Sequence, residues 1–149
     1  MKNFEISVLD LAPVKQNKTI KDTFNDSLDL ARFVEKLNYK RFWLAEHHNM
    51  ASIASSATSV LIGYIANGTQ KIKVGSGGIM LPNHSSLVIA EQFGTLESLF
   101  PGRIDLGVGR APGTDGLTAK ALGRNPENIN QHFPKQIQEL QRYFSIENA

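Results

Sequence analysis

The sequence contains no cysteine. That excludes a disulfide framework, a thiolate metal site and a cysteine nucleophile together. It also lacks an excess of either charge, with 16 basic and 14 acidic residues and a net charge of +2. So balanced a chain argues against nucleic acid and against an anionic membrane surface as partners. A long apolar run is missing as well. The longest, near Val60 to Ala66, is far too short to span a bilayer. The first residues, Met1 to Ile6, lack the apolar stretch of a signal peptide. What is left is an ordinary globular composition, 149 residues with 41% hydrophobic content. The expectation is a single domain over 1–149 with a real core, soluble and cytoplasmic.

The most distinctive stretch runs from Arg103 to Asp115. Ile104, Leu106 and Val108 alternate with Asp105, Gly107 and Gly109, the period of a strand. A face of glycines has no side chains, so something bulky can lie against it. Arg110 stands where the strand ends, with a guanidinium suited to phosphate or carboxylate. Pro112 occupies the place where a dinucleotide-binding fingerprint would need its third glycine, which argues against that motif.

Three similar units precede it. Phe4 to Leu11 alternates like a strand, and Asp22 to Asn38 carries Phe24, Leu28, Ala31, Val34 and Leu37 at helical steps. Arg41 to Glu46 is a short, aromatic-rich second strand, followed by a helix from Ser56 to Asn67 that stops at Gly68. Ile72 to Leu81 is a third strand, broken by Gly75, Gly77 and Gly78. A third helix is predicted from Ser85 or Ser86 to Phe100, stopped by Pro101-Gly102. After the Arg103 stretch, the pattern predicts a long loop from Ala111 to Asn128. A last helix follows with the stripe Ile129, Phe133, Ile137, Leu140 and Phe144. Strands alternating with helices mean a parallel α/β sheet with right-handed crossovers. Two architectures satisfy that order, a flavodoxin-like open sheet or four βα units of a (β/α)8 barrel, which typically needs about 250 residues. Either one binds ligands beyond the carboxyl ends of its strands.

The chemistry-bearing residues fall at that edge. Glu46-His47-His48 follows the second strand, and a histidine there can act as base, acid or donor to a cofactor. Adjacent histidines point in different directions and no His-x-x-x-His spacing occurs, so no metal site is expected. Two glycines late in the third strand, Gly77 and Gly78, need a reason, such as close approach of a planar ligand or a cis peptide.

Four segments carry a resemblance: Trp43 to His48, Val74 to His84, Ala90 to Phe93, and Pro101 to Asp115. In order and spacing they resemble the bacterial luciferase-like flavin-dependent monooxygenases. The resemblance implies a (β/α)8 barrel of TIM type, here as its first four βα units, a half-barrel. It implies FMN at the carboxyl edge, with reduced FMN and dioxygen oxidising a small organic substrate such as an aldehyde. A deazaflavin, as in some cousins, is the lesser alternative. By resemblance His47 is the catalytic histidine and Glu46 its neighbouring acid. Gly77 and Gly78 hold a cis peptide under the flavin ring, Gly109 lies at the flavin and Arg110 near its phosphate. A flavin reductase is an implied partner. A half-barrel with open edges implies self-association or association with a C-terminal half.

Overall fold

The computed structural model describes residues 4–111, 113–123 and 129–145. Four strands form one parallel sheet: β1 (Ser7–Asp10), β2 (Arg41–Leu44), β3 (Lys73–Met80) and β4 (Ile104–Gly109). Between them run α1 (Ile20–Lys36), α2 (Thr58–Asn67) and α3 (Ser86–Leu99). A 3-10 turn over Leu81–Asn83 precedes α3, and α4 (Gly116–Ala121) and α5 (Ile129–Tyr143) follow β4.

The spatial order is β1-β2-β3-β4. This decides between the two architectures. A doubly wound sheet reverses direction and would place its first strand between later ones, whereas each strand here pairs with its successor, as in a barrel wall. The fold is therefore a run of four βα units of TIM-barrel type.

Residue alternation separates the two faces of the wall. Phe42, Leu44 and Val74 are buried against Leu28, Ala31 and Val34 of α1, Leu61, Ile62 and Ile65 of α2, and Ile89, Phe93 and Leu96 of α3. The opposite face carries Arg41 and Trp43, then the glycines 75 and 77 of β3 and 107 and 109 of β4. This face is not simply bare. A Cβ on Gly75 would lie 2.7 Å from the Trp43 indole, and one on Gly77 would lie 3.0 Å from both Leu9 and Trp43. A Cβ on Gly107 would meet the Ser76 carbonyl oxygen at 2.3 Å. The glycines therefore admit Trp43 and let β3 and β4 approach each other where the pairing register shifts between Ser76 and Ile79. The Gly77–Gly78 peptide is cis.

Helix boundaries follow local chemistry. α1 begins two residues before the apolar stripe suggests, because Thr19 and Asp22 form a reciprocal capping box. The predicted loop from Ala111 to Asn128 is corrected by α4. Asp115 caps it by accepting from the Thr118 N–H at 2.9 Å. Six residues are too few to show a helical stripe. Residues 124–128 of that loop lie outside the described residues. In α5, Leu140 is buried and Phe133 and Ile137 pack on the core, while Phe144, beyond the helix, is half exposed. Among the described residues no helix is long and apolar enough to cross a membrane.

Candidate active site

The segment leaving β2 and the turn leaving β3 meet at one carboxylate. Glu46 is 1% exposed, among the most buried side chains of the protein. Its Oε1 accepts from His48 Nε2 at 2.6 Å and from His84 Nε2 at 2.7 Å. Its Oε2 accepts from the Met80 backbone N–H at 3.1 Å. Glu46 and His48 are two positions apart, and both side chains reach the same point. Burial pushes the Glu46 carboxyl up, but the hydrogen bonds from His84 and His48, with that from Met80, outweigh it and hold it below the usual carboxylate range. Glu46 thus stands as an ionised anchor behind two imidazoles.

Both histidines are held by their backbones as well. The His48 N–H donates to the Gly113 carbonyl at 3.0 Å, and its own carbonyl accepts from Thr114 Oγ1 at 2.9 Å. The His84 N–H donates to the Leu81 carbonyl at 3.0 Å, and its carbonyl accepts from Gln136 Nε2 at 3.1 Å. Gly113 has φ of +62°, and a Cβ there would lie 2.8 Å from the Glu46 carbonyl oxygen, so both the conformation and the space require glycine. The loop after β4 therefore braces the loop after β2, and α5 braces the turn after β3.

The other sequence-predicted residues surround this centre. His47 follows Glu46 in the segment after β2, its N–H on the Ser55 carbonyl at 3.2 Å. Its Nδ1 is buried with no hydrogen-bond partner among the described residues. A buried ring nitrogen in that state is suited to a bound ligand or water. Gly109 ends β4 against Met80, whose sulfur would lie 3.1 Å from a Cβ there. Arg110 follows and is exposed. The structure thus brings Glu46 together with His48 and His84 and leaves Arg110 on the rim. The sequence reading assigned chemistry to His47 and left His48 and His84 without a role. The available signal was their position, each in the segment after one of two adjacent parallel strands.

The donor set suits a flavin site in general terms. This edge offers an imidazole nitrogen, His47 Nδ1, without a hydrogen-bond partner among the described residues, and an exposed cation, Arg110. The carboxylate and two imidazole nitrogens of Glu46, His48 and His84 also lie within 4.8 Å of one another, a set that metal ions use.

Comparison with known proteins places this arrangement. The family model described as luciferase-like monooxygenase matches residues 4–135. A luciferase-like monooxygenase of Escherichia coli is 57% identical over 143 residues, covering 96% of this chain and 43% of its own length. The N-acetyl-S-alkylcysteine monooxygenase of Bacillus subtilis is 44% identical over 138 residues, covering 93% of this chain and 41% of its own length. Among solved structures, apo-MsnO8 superposes with a TM-score of 0.92 at 37% identity, over 99% of this chain and 44% of that one. Two more distant structures share the fold alone. One is the FMN-bound oxygenating constituent of a Pseudomonas putida diketocamphane monooxygenase, with TM-score 0.78, 21% identity, 91% of this chain and 38% of that one. The other is an F420-dependent secondary alcohol dehydrogenase, with TM-score 0.72, 17% identity, 92% of this chain and 41% of that one. The parallel wall of four βα units is thus shared with proteins of TIM-barrel type. The chain belongs to the luciferase-like monooxygenase family. It spans less than half the length of the curated relatives it matches here.

Proposed function

We propose that this chain carries the catalytic-edge half of a flavin-dependent monooxygenase that uses reduced FMN and dioxygen to oxidise a small organic substrate such as an aldehyde. The observation that carries the reading is the meeting of Glu46, His48 and His84 at the carboxyl edge, beside a His47 nitrogen left without a partner. Reduced flavin would supply the electrons that activate dioxygen. The protein's own part is positioning and proton movement. His47 Nδ1 is the group free to exchange a proton with a bound ligand, because the described hydrogen bonds leave it unused. Glu46 is a positioning residue, since all its described contacts go to His48, His84 and Met80. Arg110 can neutralise a phosphate at the rim, and a planar ring would lie against the packed edge that Trp43 and Met80 form over the glycines 77 and 109.

Relatives within the family support the monooxygenase reading. FMN is preferred over F420, although the fold accommodates enzymes named for each. The expected result is that His47→Ala retains flavin binding and loses turnover with reduced FMN and an aldehyde, whereas Arg110→Ala weakens flavin binding first. Equal loss of both properties in both variants would point to unfolding and overturn the assignment.

A second reading concerns assembly. Leu9 is 53% exposed on the face that carries Trp43 and Gly77, and no described strand covers the outer edge of β1 or β4. Exposed parallel edges of this kind favour pairing with another chain. The half-barrel would then bind flavin without turnover until it pairs with a second copy or with a C-terminal half. A flavin reductase as donor partner and a cytoplasmic location belong to the same reading. Light scattering of a compact monomer at micromolar concentration would contradict the pairing.

A further inference from the structure

We propose that Glu46, His48 and His84 form a binding site for a divalent first-row transition metal of the zinc class. The proposal uses the triad that also supports the flavin reading, but metal binding needs no flavin. Two imidazole Nε2 atoms and one carboxylate oxygen converge from two different loops within 4.8 Å. Nitrogen donors of this kind suit zinc, cobalt, nickel or copper and disfavour magnesium and calcium, which take oxygen ligands. Two imidazoles and one glutamate leave a fourth position open, the arrangement of an exchangeable centre rather than a closed structural one.

The triad is built in advance. The second oxygen of Glu46 is fixed by the Met80 N–H, so the carboxylate cannot rotate freely. His48 is pinned through its N–H and carbonyl by Gly113 and Thr114, and His84 by Leu81 and Gln136. Such supporting contacts orient ligands and raise their affinity. Little movement is needed. The two nitrogens now lie 2.6 and 2.7 Å from Oε1 as hydrogen-bond donors. Metal–ligand bonds of about 2.0–2.2 Å at tetrahedral angles set donor atoms about 3.3 Å apart. Each imidazole would draw back by roughly 0.6–0.7 Å and carry its proton on Nδ1, leaving the Nε2 lone pair for the metal. The side chains of His48 and His84 are 14% and 26% exposed, enough for an ion to enter while Glu46 stays buried. No residue spacing announces this site, because its ligands are 36 positions apart, at 48 and 84, and meet only through the pairing of β2 with β3.

The test uses the 149-residue chain after chelator treatment. Cobalt(II) is titrated while its visible ligand-field bands are recorded, and zinc(II) binding is measured by calorimetry. The expected result is saturable binding of one ion per chain, with intensified bands of a low-coordinate site. His48→Ala and His84→Ala should each weaken it by at least about 10-fold. His132→Ala, at an exposed α5 position, should change nothing. Circular dichroism matching the parent shows that the variants are folded, and His84→Asn provides a second variant of similar shape should His84→Ala unfold. Absence of saturable binding in folded protein overturns the site. So does affinity unchanged in both His48 and His84 variants, or lost on His132→Ala. Because no flavin is present, failure here leaves the flavin assignment standing, and the reverse also holds.

Discussion

Two glutamates at opposite ends of the sheet each gather several hydrogen-bond donors, and they do opposite things with them. At the amino-terminal end Glu35 Oε1 accepts from the backbone N–H groups of Gln70, Lys71 and Ile72 at 2.9, 2.6 and 2.9 Å. Arg103 lies near, its guanidinium spread over the carbonyls of Ala66, Thr69 and Ile72 and the Thr69 hydroxyl. At the carboxyl-terminal end Glu46 accepts from two imidazoles and one backbone N–H. Glu35 is surrounded by groups that cannot change protonation near neutrality, so its site can only hold. Glu46 is held by two imidazoles, the groups on which the proposed proton and metal chemistry rests. The same carboxylate chemistry becomes structural or functional according to who donates to it.

Removing each carboxylate should separate the two ends. Glu46→Ala would leave three partly buried donors without an acceptor, a cost of about 3 kcal/mol. It should also release His48 and His84, so flavin binding and stability fall together. Urea unfolding and a flavin titration on the same samples check this. Glu35→Ala should cost less, about 2 kcal/mol once discounted for the water that reaches its surroundings. It should leave flavin affinity unchanged, and a parallel loss would erase the contrast. Glu35→Gln retains one acceptor oxygen and loses only charge assistance, about 1 kcal/mol.

Acid sharpens the comparison next. Burial works to raise the Glu35 carboxyl, but the N–H groups of Ile72, Lys71 and Gln70, with Arg103, hold it below the ordinary carboxylate range. A carboxyl lowered by folding contributes stability that is full above its unfolded value and is lost as pH falls through its folded value. The wild-type chain should therefore lose stability below the ordinary glutamate range. In Glu35→Gln the acid slope should be shallower, measured as urea midpoint against pH. An identical slope would show that the Glu35 site contributes nothing. The smallest effect is expected at Lys15, whose exposed pair with Asp26 spans 3.0 Å. Lys15→Ala should leave the urea midpoint unchanged.

Much of the fold was legible because its cause is local. The stripe of Leu28, Ala31 and Val34 and the alternation of Phe42 and Leu44 are periodic patterns that burial then satisfies. The choice of barrel wall over doubly wound sheet was not legible from the pattern alone, since both share the element order. α4 escaped because six residues carry no stripe. At the site, the Glu46-His47-His48 run drew attention, and Gly77 and Gly78 suggested the cis peptide that the structure contains. The partnership of Glu46 with His84 was invisible, because it depends on the register that sets β2 beside β3. The face of Gly107 and Gly109 was read as room for a ligand, whereas the β3 backbone crowds Gly107, Met80 packs at Gly109, and Trp43 fills the space over Gly75 and Gly77. The Glu35 and Arg103 network left no trace in the sequence for the same reason, since its partners are main-chain groups.

The carboxyl edge of this half-barrel is the proposed flavin site. Trp43 is the only tryptophan and packs against the glycine face just below that edge. Its fluorescence should be quenched saturably as FMN is added at micromolar concentration, and Arg110→Ala should shift the curve to higher FMN. A folded sample whose Trp43 emission does not respond to FMN would rule out a flavin site at this edge.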